Sequence, residues 1–424
     1  MTRPKAPNRP TLPAASEILT VLSAGEGPVP KRRGGQARDR VLQLTQLIAT
    51  LLRAGATVDE LAYRKSLEAR APASVKALAN DLACYADFCA RMPGLGLPAA
   101  APRIVAYLED CEARGLKPAS VERRLASLAA VHGLLDVPSP TRASVVRDGL
   151  RGFRRRVTVI QRQAGPLRFG EGIGAVPAGG FTLSVLLQAC PPDLAGLRDA
   201  ALLSLAYDSG TRVSEQVRVD CEHIAPAEDG SAVLTIPGSK TDQEGQGAFA
   251  WLSPDTMRRV RAWQEAAGVV SGPLFRRIHV VRTKAREATP ITALPAPPGY
   301  VWRLPAGIQS EAAAQPVPAT STLMVGETEL TPTAVRLIIK RTARRAAKEH
   351  LVMLAGAELD AAIAALSTHS LRVGLTQDLF ASGEDAGPIA QALRWTSTST
   401  ALRYGRKLAP ASNATARMLR RVRG

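Results

Sequence analysis

Apolar residues recur at three- and four-residue intervals through much of the first third of the chain. This spacing predicts helices near 38–53, 58–69, 73–92, 100–114, 118–133 and 140–155, because a 3.6-residue repeat brings such positions onto one face. The breaks between them, "RAPAS", "MPGLGLP", "RGLKPAS" and "DVPSP", carry Pro or Gly, which interrupt a helix. "KPASVERRL" reads as a helix start, with Ser120 as the N-cap and Glu122 in the first turn. Residues 1–36 are rich in Pro, Gly, Lys and Arg without apolar periodicity and read as a flexible basic arm. Residues 37–158 then form an all-helical domain. The periodicity fails over 149–180, which opens very basic and ends Gly-rich, and 159–180 is taken as a linker between domains.

A second domain is expected over 181–424. "AGLRDAALLSLAYDSG" is apolar on most faces, so it predicts a buried helix ending at Gly210, and a further helix follows around "TRVSEQVRV". The pattern then changes period. Two short runs, 232–236 and 248–252, flank a polar, Gly-containing turn and predict a small antiparallel β-sheet. The Pro-rich stretch near 276–330 reads as an irregular inserted excursion. Helical periodicity resumes at "TPTAVRLIIKRTARRAAKEHL", with Pro332 in a first turn, and runs on to a C-terminal helix over 410–423. The fold class is therefore mainly α (α+β).

Composition narrows the partners. Aromatics are only 4% of the chain and Ala and Leu dominate, which favours helix. The formal net charge of +18 favours a polyanion, either nucleic acid or an anionic membrane. The membrane is the weaker reading. No apolar run reaches the length of a spanning helix, and the N-terminal stretch lacks the apolar core of a signal peptide. Cys84, Cys89, Cys111, Cys190 and Cys221 are irregularly placed without a CxxC pair, which reads as buried thiols in a reducing cytosol. His223 follows Cys221 closely, but two residues do not make a tetrahedral metal site.

Several residues carry chemistry suited to a phosphate. His369 and Arg372 in "HSLR" are three apart at a helix start, where Ser367 or Thr368 can cap. Free N–H groups favour an anion there, and arginine adds a planar, permanently charged fork. The plainer reading is a capped helix with a surface arginine. Arg212 and Glu215 are also three apart, either as a simple i,i+3 ion pair or with Glu215 orienting Arg212 as a second phosphate ligand. Lys240 lies in the polar turn 28 residues after Arg212, where a lone lysine is ordinarily solvated. Tyr404 follows Trp395 by nine residues in a helical stretch, where a tyrosine is ordinarily a core residue.

As a set, Arg212, Lys240, His369, Arg372, Trp395 and Tyr404 resemble the tyrosine recombinases, the phage integrase family. "LSLAYDSGTRVSEQVRVD" is similar to that family's first arginine box, "HSLRVGLTQDLFASG" to its second, and "LRWTSTSTALRYG" to its nucleophile segment. Trp395 stands where most relatives carry histidine, and Val373 where many carry a second histidine. The resemblance covers about 181–275 and 331–424, and is only architectural over 38–158. It implies the tyrosine recombinase fold, with an all-helical core-binding domain that contacts DNA and a mostly helical catalytic domain. It implies Tyr404 as nucleophile, Lys240 as general acid, and Arg212, His369, Arg372 and Trp395 on the phosphate, with Glu215 in support. It implies site-specific recombination through a 3′-phosphotyrosine, with neither metal nor ATP as cofactor. The partners implied are double-stranded DNA with a specific recombination site, and copies of the chain in a homotetramer on two sites. Two alternatives share the pattern: relaxation of supercoils in the manner of a type IB topoisomerase, and a non-catalytic DNA-binding protein on the same scaffold.

Overall fold

A computed structural model of the chain describes residues 35–52, 58–92, 94, 96–157, 163–170, 179–236, 247–285, 298–299, 318–405 and 414–423. Lys240, most of the expected basic arm and much of the expected insertion lie outside the described residues. The chain divides into two compact units, Met1–Gln161 and Arg162–Gly424, and each is taken by itself.

The first unit is helical: α1 (Gly35–Leu51), α2 (Glu60–Glu68), α3 (Pro72–Arg91), α4 (Ala101–Ala113), α5 (Pro118–Leu134), a single 3-10 turn at Pro140–Arg142, and α6 (Ser144–Arg156). Its core centres on the rings of Tyr85, Phe88 and Tyr107, which are fully buried, with Tyr85 and Tyr107 edge to face at 5.1 Å. Contrary to the sequence reading, α5 begins at Pro118 after Lys117, and Ser120 does not cap it. Proline has no N–H to satisfy and a backbone angle already set for helix, so it is suited to the first position. The arginine run at the end of α6 is partly neutralised. Arg154 pairs with Glu122 and Arg156 with Glu112, each at 2.7 Å.

The second unit opens on an extended segment. Within the stretch expected as linker, Gly165 N–H donates to the Ala365 carbonyl and Leu167 N–H to that of Ser370, each at 2.9 Å. The helices that follow are α7 (Leu183–Gln188), α8 (Leu194–Ser209) and α9 (Val213–Gln216). The last is a single turn, shorter than the periodicity around "TRVSEQVRV" predicts. Strands β1 (Ile224–Pro226), β2 (Ala232–Ile236) and β3 (Ala248–Leu252) form an antiparallel sheet in that order. β2 and β3 fall on the two predicted runs, with Ala232, Leu234 and Ile236 turned into the core and Val233 outward opposite Trp251.

After α10 (Pro254–Ala267) come β4 (Arg276–Thr283) and β5 (Thr320–Glu329), which pair antiparallel from Arg276↔Glu329 to Thr283↔Thr320. The expected irregular stretch is therefore bounded by a two-stranded ribbon. Most of its residues are exposed, so no apolar–polar alternation betrays it. The chain continues through α11 (Pro332–Lys348), α12 (Gly356–Ala365), α13 (Ser370–Ala381), α14 (Ala386–Ala392), α15 (Thr398–Gly405) and α16 (Ala414–Arg423). The core of this unit is α8, buried along nearly its whole length, together with Trp263, Phe275 and Ile339. Among the described residues, no helix is long and apolar enough to cross a membrane.

The extended segment and α13 meet at a carboxylate. Asp378 accepts from Arg168 Nε at 2.5 Å, from Phe169 N–H at 2.7 Å and from the Tyr207 hydroxyl at 2.5 Å. That approach needs a residue without a side chain beneath it. A Cβ on Gly374 would lie 1.8 Å from the Leu167 carbonyl oxygen.

Candidate functional site

The site begins where α8 stops. Gly210 ends the helix in the left-handed region at φ 53°, and a Cβ there would also lie 2.3 Å from Leu393 Cδ2. Glycine meets both demands at once. The chain then turns through Thr211 to Arg212, the N-cap of α9. Glu215 reaches back to that residue twice. Its Oε2 accepts the Arg212 backbone N–H and its Oε1 accepts Arg212 Nη1, both at 2.8 Å. Glu215 is buried with 3% of its side chain exposed, against 19% for Arg212. The two are an i,i+3 ion pair in which a buried carboxylate holds the arginine fork at the edge of the protein.

Arg372 arrives from the first turn of α13 and is buried at 2% exposure. Its two terminal nitrogens donate to the carbonyls of Gly210 and Leu393. One guanidinium thereby ties the end of α8 to the turn after α14. Burial pushes its pKa down to about 10, and the neighbouring guanidiniums of Arg212 and Arg394 add to the fall. It remains a cation at neutral pH.

The guanidinium carbon of Arg372 sits 5.0 Å from the centroid of Trp395, within cation–π range. On that indole lies Tyr404 of α15, stacked with centroids 5.2 Å apart and planes 8° from parallel. Tyr404 is close enough to Arg372 to act on its charge. The foundation is a small apolar cluster in which Ile389, Leu393 and Ala401 are buried and Trp395, Leu375 and Phe380 pack around them. Trp395 thus does what a packing residue does, and what it packs is the tyrosine.

His369 is the N-cap residue of α13 and faces solvent. The expected cap is rearranged: Ser367 Oγ accepts the His369 backbone N–H, and no side chain caps the helix from His369 itself. Partial desolvation, then the charges of Arg372 and Arg212, hold its imidazole below the usual histidine range. A neutral ring at pH 7 both accepts and donates a proton.

The fold thus brings Arg212, Glu215, His369, Arg372, Trp395 and Tyr404 to one place, although the chain separates the first from the last by almost two hundred residues. Lys240 is outside the described residues. One member was missed by the sequence reading. Arg394 adopts φ 55°, donates from Nη1 to the Ser209 carbonyl at 3.1 Å and places Nη2 3.7 Å from Glu215 Oε2. No sequence signal distinguishes it from the other arginines of a basic chain.

Chemically, three guanidiniums gather near one carboxylate, which pairs with Arg212 and Arg394. The surplus positive charge is fixed by hydrogen bonds before any ligand arrives, as stabilisation of an anionic transition state requires. Beside it stands an aromatic hydroxyl. The arrangement suits attack by a phenol on a phosphodiester.

No family profile matches the chain. Two characterised proteins do. An integrase/recombinase XerD homolog of Selenomonas ruminantium is 28% identical over 232 residues, a match that spans 52% of this chain and 64% of that protein. Recombinase Cre of Escherichia phage P1 is 24% identical over 350 residues, covering 81% of this chain and 87% of Cre. Both matches are to recombinases, in agreement with the resemblance of the site's sequence boxes to the tyrosine recombinases. Among solved structures, the XerH site-specific recombinase bound to palindromic difH substrate superposes with a TM-score of 0.49 at 11% identity, covering 95% of this chain and 94% of that one. That likeness is too loose to bear on the chemistry.

Proposed function

We propose that the chain is a site-specific DNA recombinase that cuts and rejoins strands through a covalent 3′-phosphotyrosine. The observation that carries this reading is the stack of Tyr404 on Trp395 beside the buried Arg372 cation, with Arg212 held by Glu215 at 2.8 Å. The two guanidiniums bracket the non-bridging oxygens of the scissile phosphate and neutralise charge as it builds. The Tyr404 oxygen bonds to phosphorus as the bond from phosphorus to the 5′-oxygen breaks. The phenolic proton passes to a base, for which neutral His369 is the nearest fit, and the departing 5′-oxygen takes a proton from Lys240. The ester conserves the bond energy, so the reverse attack by a 5′-hydroxyl reseals the strand.

The partners are double-stranded DNA and other copies of the chain. The charge of +18 supplies salt-dependent affinity for phosphate. Assembly as a homotetramer on two sites is supported by α16, which leaves Met418 and Val422 exposed one turn apart. Seated on a neighbour, that helix closes a ring of head-to-tail contacts. The DNA substrate puts the protein in the cytoplasm with the nucleoid. Topoisomerase-like relaxation is not favoured, because both sequence relatives are recombinases.

The test starts from a duplex library with a randomised core, from which the protein selects its binding sequence. A nick is then placed in the selected duplex, and the reaction is run on a denaturing gel. A protein–DNA band that Tyr404→Phe abolishes is expected. No band with the wild type, or an equal band with Tyr404→Phe, overturns the assignment. Exchange between two selected duplexes separates recombination from relaxation.

A further inference from the structure

Arg394 has no part in the scheme above, yet the fold maintains it at a cost. It is one of three described non-glycine residues with positive φ, a conformation that crowds a Cβ against the backbone. Such residues persist where their surroundings over-determine them, and they gather at functional sites. Its side chain is 11% exposed, and its Nε and Nη2 are buried without a hydrogen-bond partner. A guanidinium is held in protein, half unsatisfied, next to two others.

Its contacts say what it does there. Nη1 donates to Ser209 C=O, while Arg372 takes the next carbonyl, that of Gly210. The two arginines thus grip consecutive carbonyls at the C-terminal end of α8, where the helix dipole favours cations. Those carbonyls lead directly into Thr211 and Arg212. At its other side Arg394 approaches Glu215 Oε2 at 3.7 Å, the oxygen that accepts the Arg212 backbone N–H at 2.8 Å. Arg394 is also the residue before Trp395. It therefore connects the loop that carries Arg212 to the turn that carries the indole under Tyr404.

We propose that Arg394 is a positioning residue for phosphoryl transfer: it draws on the charge of Glu215, leaving Arg212 more of its own positive charge for the phosphate, and locks the Trp395 turn to the Arg212 loop. The burial of its Nε and Nη2 argues against direct contact with DNA. The inference rests on the reading of this site as a phosphoryl-transfer centre.

The test uses the full chain and the nicked duplex selected as above, with Arg394→Gly and Arg394→Lys. Glycine accepts φ 55° without strain, and lysine keeps the charge without the fork. Two quantities are read: the first-order rate of covalent adduct formation at saturating duplex, and the Kd for the un-nicked duplex. For Arg394→Gly the adduct rate is expected to fall about 10- to 100-fold, equivalent to about 1.4–2.7 kcal/mol, with Kd within about threefold of the wild type. Arg394→Lys should recover part of that rate, because the charge returns. An Arg394→Gly rate equal to the wild type overturns the proposal. So does a loss in which Kd weakens as much as the rate and lysine rescues nothing, since a purely structural role predicts that. If the wild type forms no adduct at all, the phosphoryl-transfer reading fails and the inference falls with it.

Discussion

Replacing Glu215 with Gln asks whether one buried carboxylate holds the arginine cluster together. Its side chain is 3% exposed, accepts two hydrogen bonds at 2.8 Å from Arg212, and stands 3.7 Å from Arg394 Nη2. Glutamine keeps an oxygen for the Arg212 backbone N–H but no charge. Two unit charges about 4 Å apart attract by about 4 kcal/mol at an effective dielectric of 20. Against that stands the desolvation of the carboxylate, which glutamine no longer suffers. Removing one partner of a buried pair costs about 3–5 kcal/mol. Arg212 retains 19% exposure, so solvent screens part of the loss and the expected cost is at the low end, about 3 kcal/mol. For a unit of this size that lowers Tm by roughly 6–12 °C. Thermal unfolding followed by tryptophan fluorescence measures it. A second reading sharpens the cause. Duplex DNA bound at the site supplies the missing negative charge, so saturating duplex should raise the Tm of Glu215→Gln by more than it raises that of the wild type. A variant that melts within about 1 °C of the wild type, with and without duplex, refutes the argument.

Three further outcomes follow from packing and protonation. Gly374→Ala puts a Cβ 1.8 Å from the Leu167 carbonyl oxygen and should cost about 3 kcal/mol or more, whereas Gly133→Ala in α5, with open space at the Cβ position, should gain about 0.5–1 kcal/mol; urea midpoints of the two variants moving the same way would contradict the packing. Burial holds the His132 imidazole below its usual range while it bonds Ala99 N–H and the Leu128 carbonyl. The unfolded chain takes up this proton below about pH 6.5 and the folded unit does not. Stability is therefore full above that pH and lost as pH falls towards the folded pKa, by up to about 1.4 kcal/mol per pH unit; a His132→Gln urea midpoint with the wild-type pH slope between 7.5 and 5.5 speaks against it. Trp395→Ala removes the stack under Tyr404 and the Arg372 contact, each worth about 0.5–1.5 kcal/mol, and should slow adduct formation more than Trp395→Phe does; equal rates for the two would mean that the stack does not position the tyrosine.

What could be read from the sequence depended on whether burial left a one-dimensional trace. β2 was legible because its Ala232, Leu234 and Ile236 alternate with outward residues, and α8 because a helix buried on every side is apolar on every side. β4 and β5 left no such trace, since most of their residues meet solvent, with Ile278 and Val325 packing against the core. The site divides along the same line. Arg212 and Glu215 could be paired because they lie three apart on one turn. His369 and Arg372 share a helix start for the same reason. Trp395 and Tyr404 were joined by resemblance alone, and their stacking is a property of the turn between α14 and α15. Arg394 was beyond reach by either route. Its neighbours Ser209 and Glu215 lie about 180 residues upstream, and its left-handed backbone is not announced by an arginine in a chain with 55 basic residues. A local pattern identifies the groups that could meet a phosphate, but the charge each one has left to offer is set by the other cations and carboxylates that the fold assembles around it. That is why Arg212 cannot be understood from its own box: its partner Glu215 is also within reach of Arg394, and the charge one guanidinium has free depends on the other.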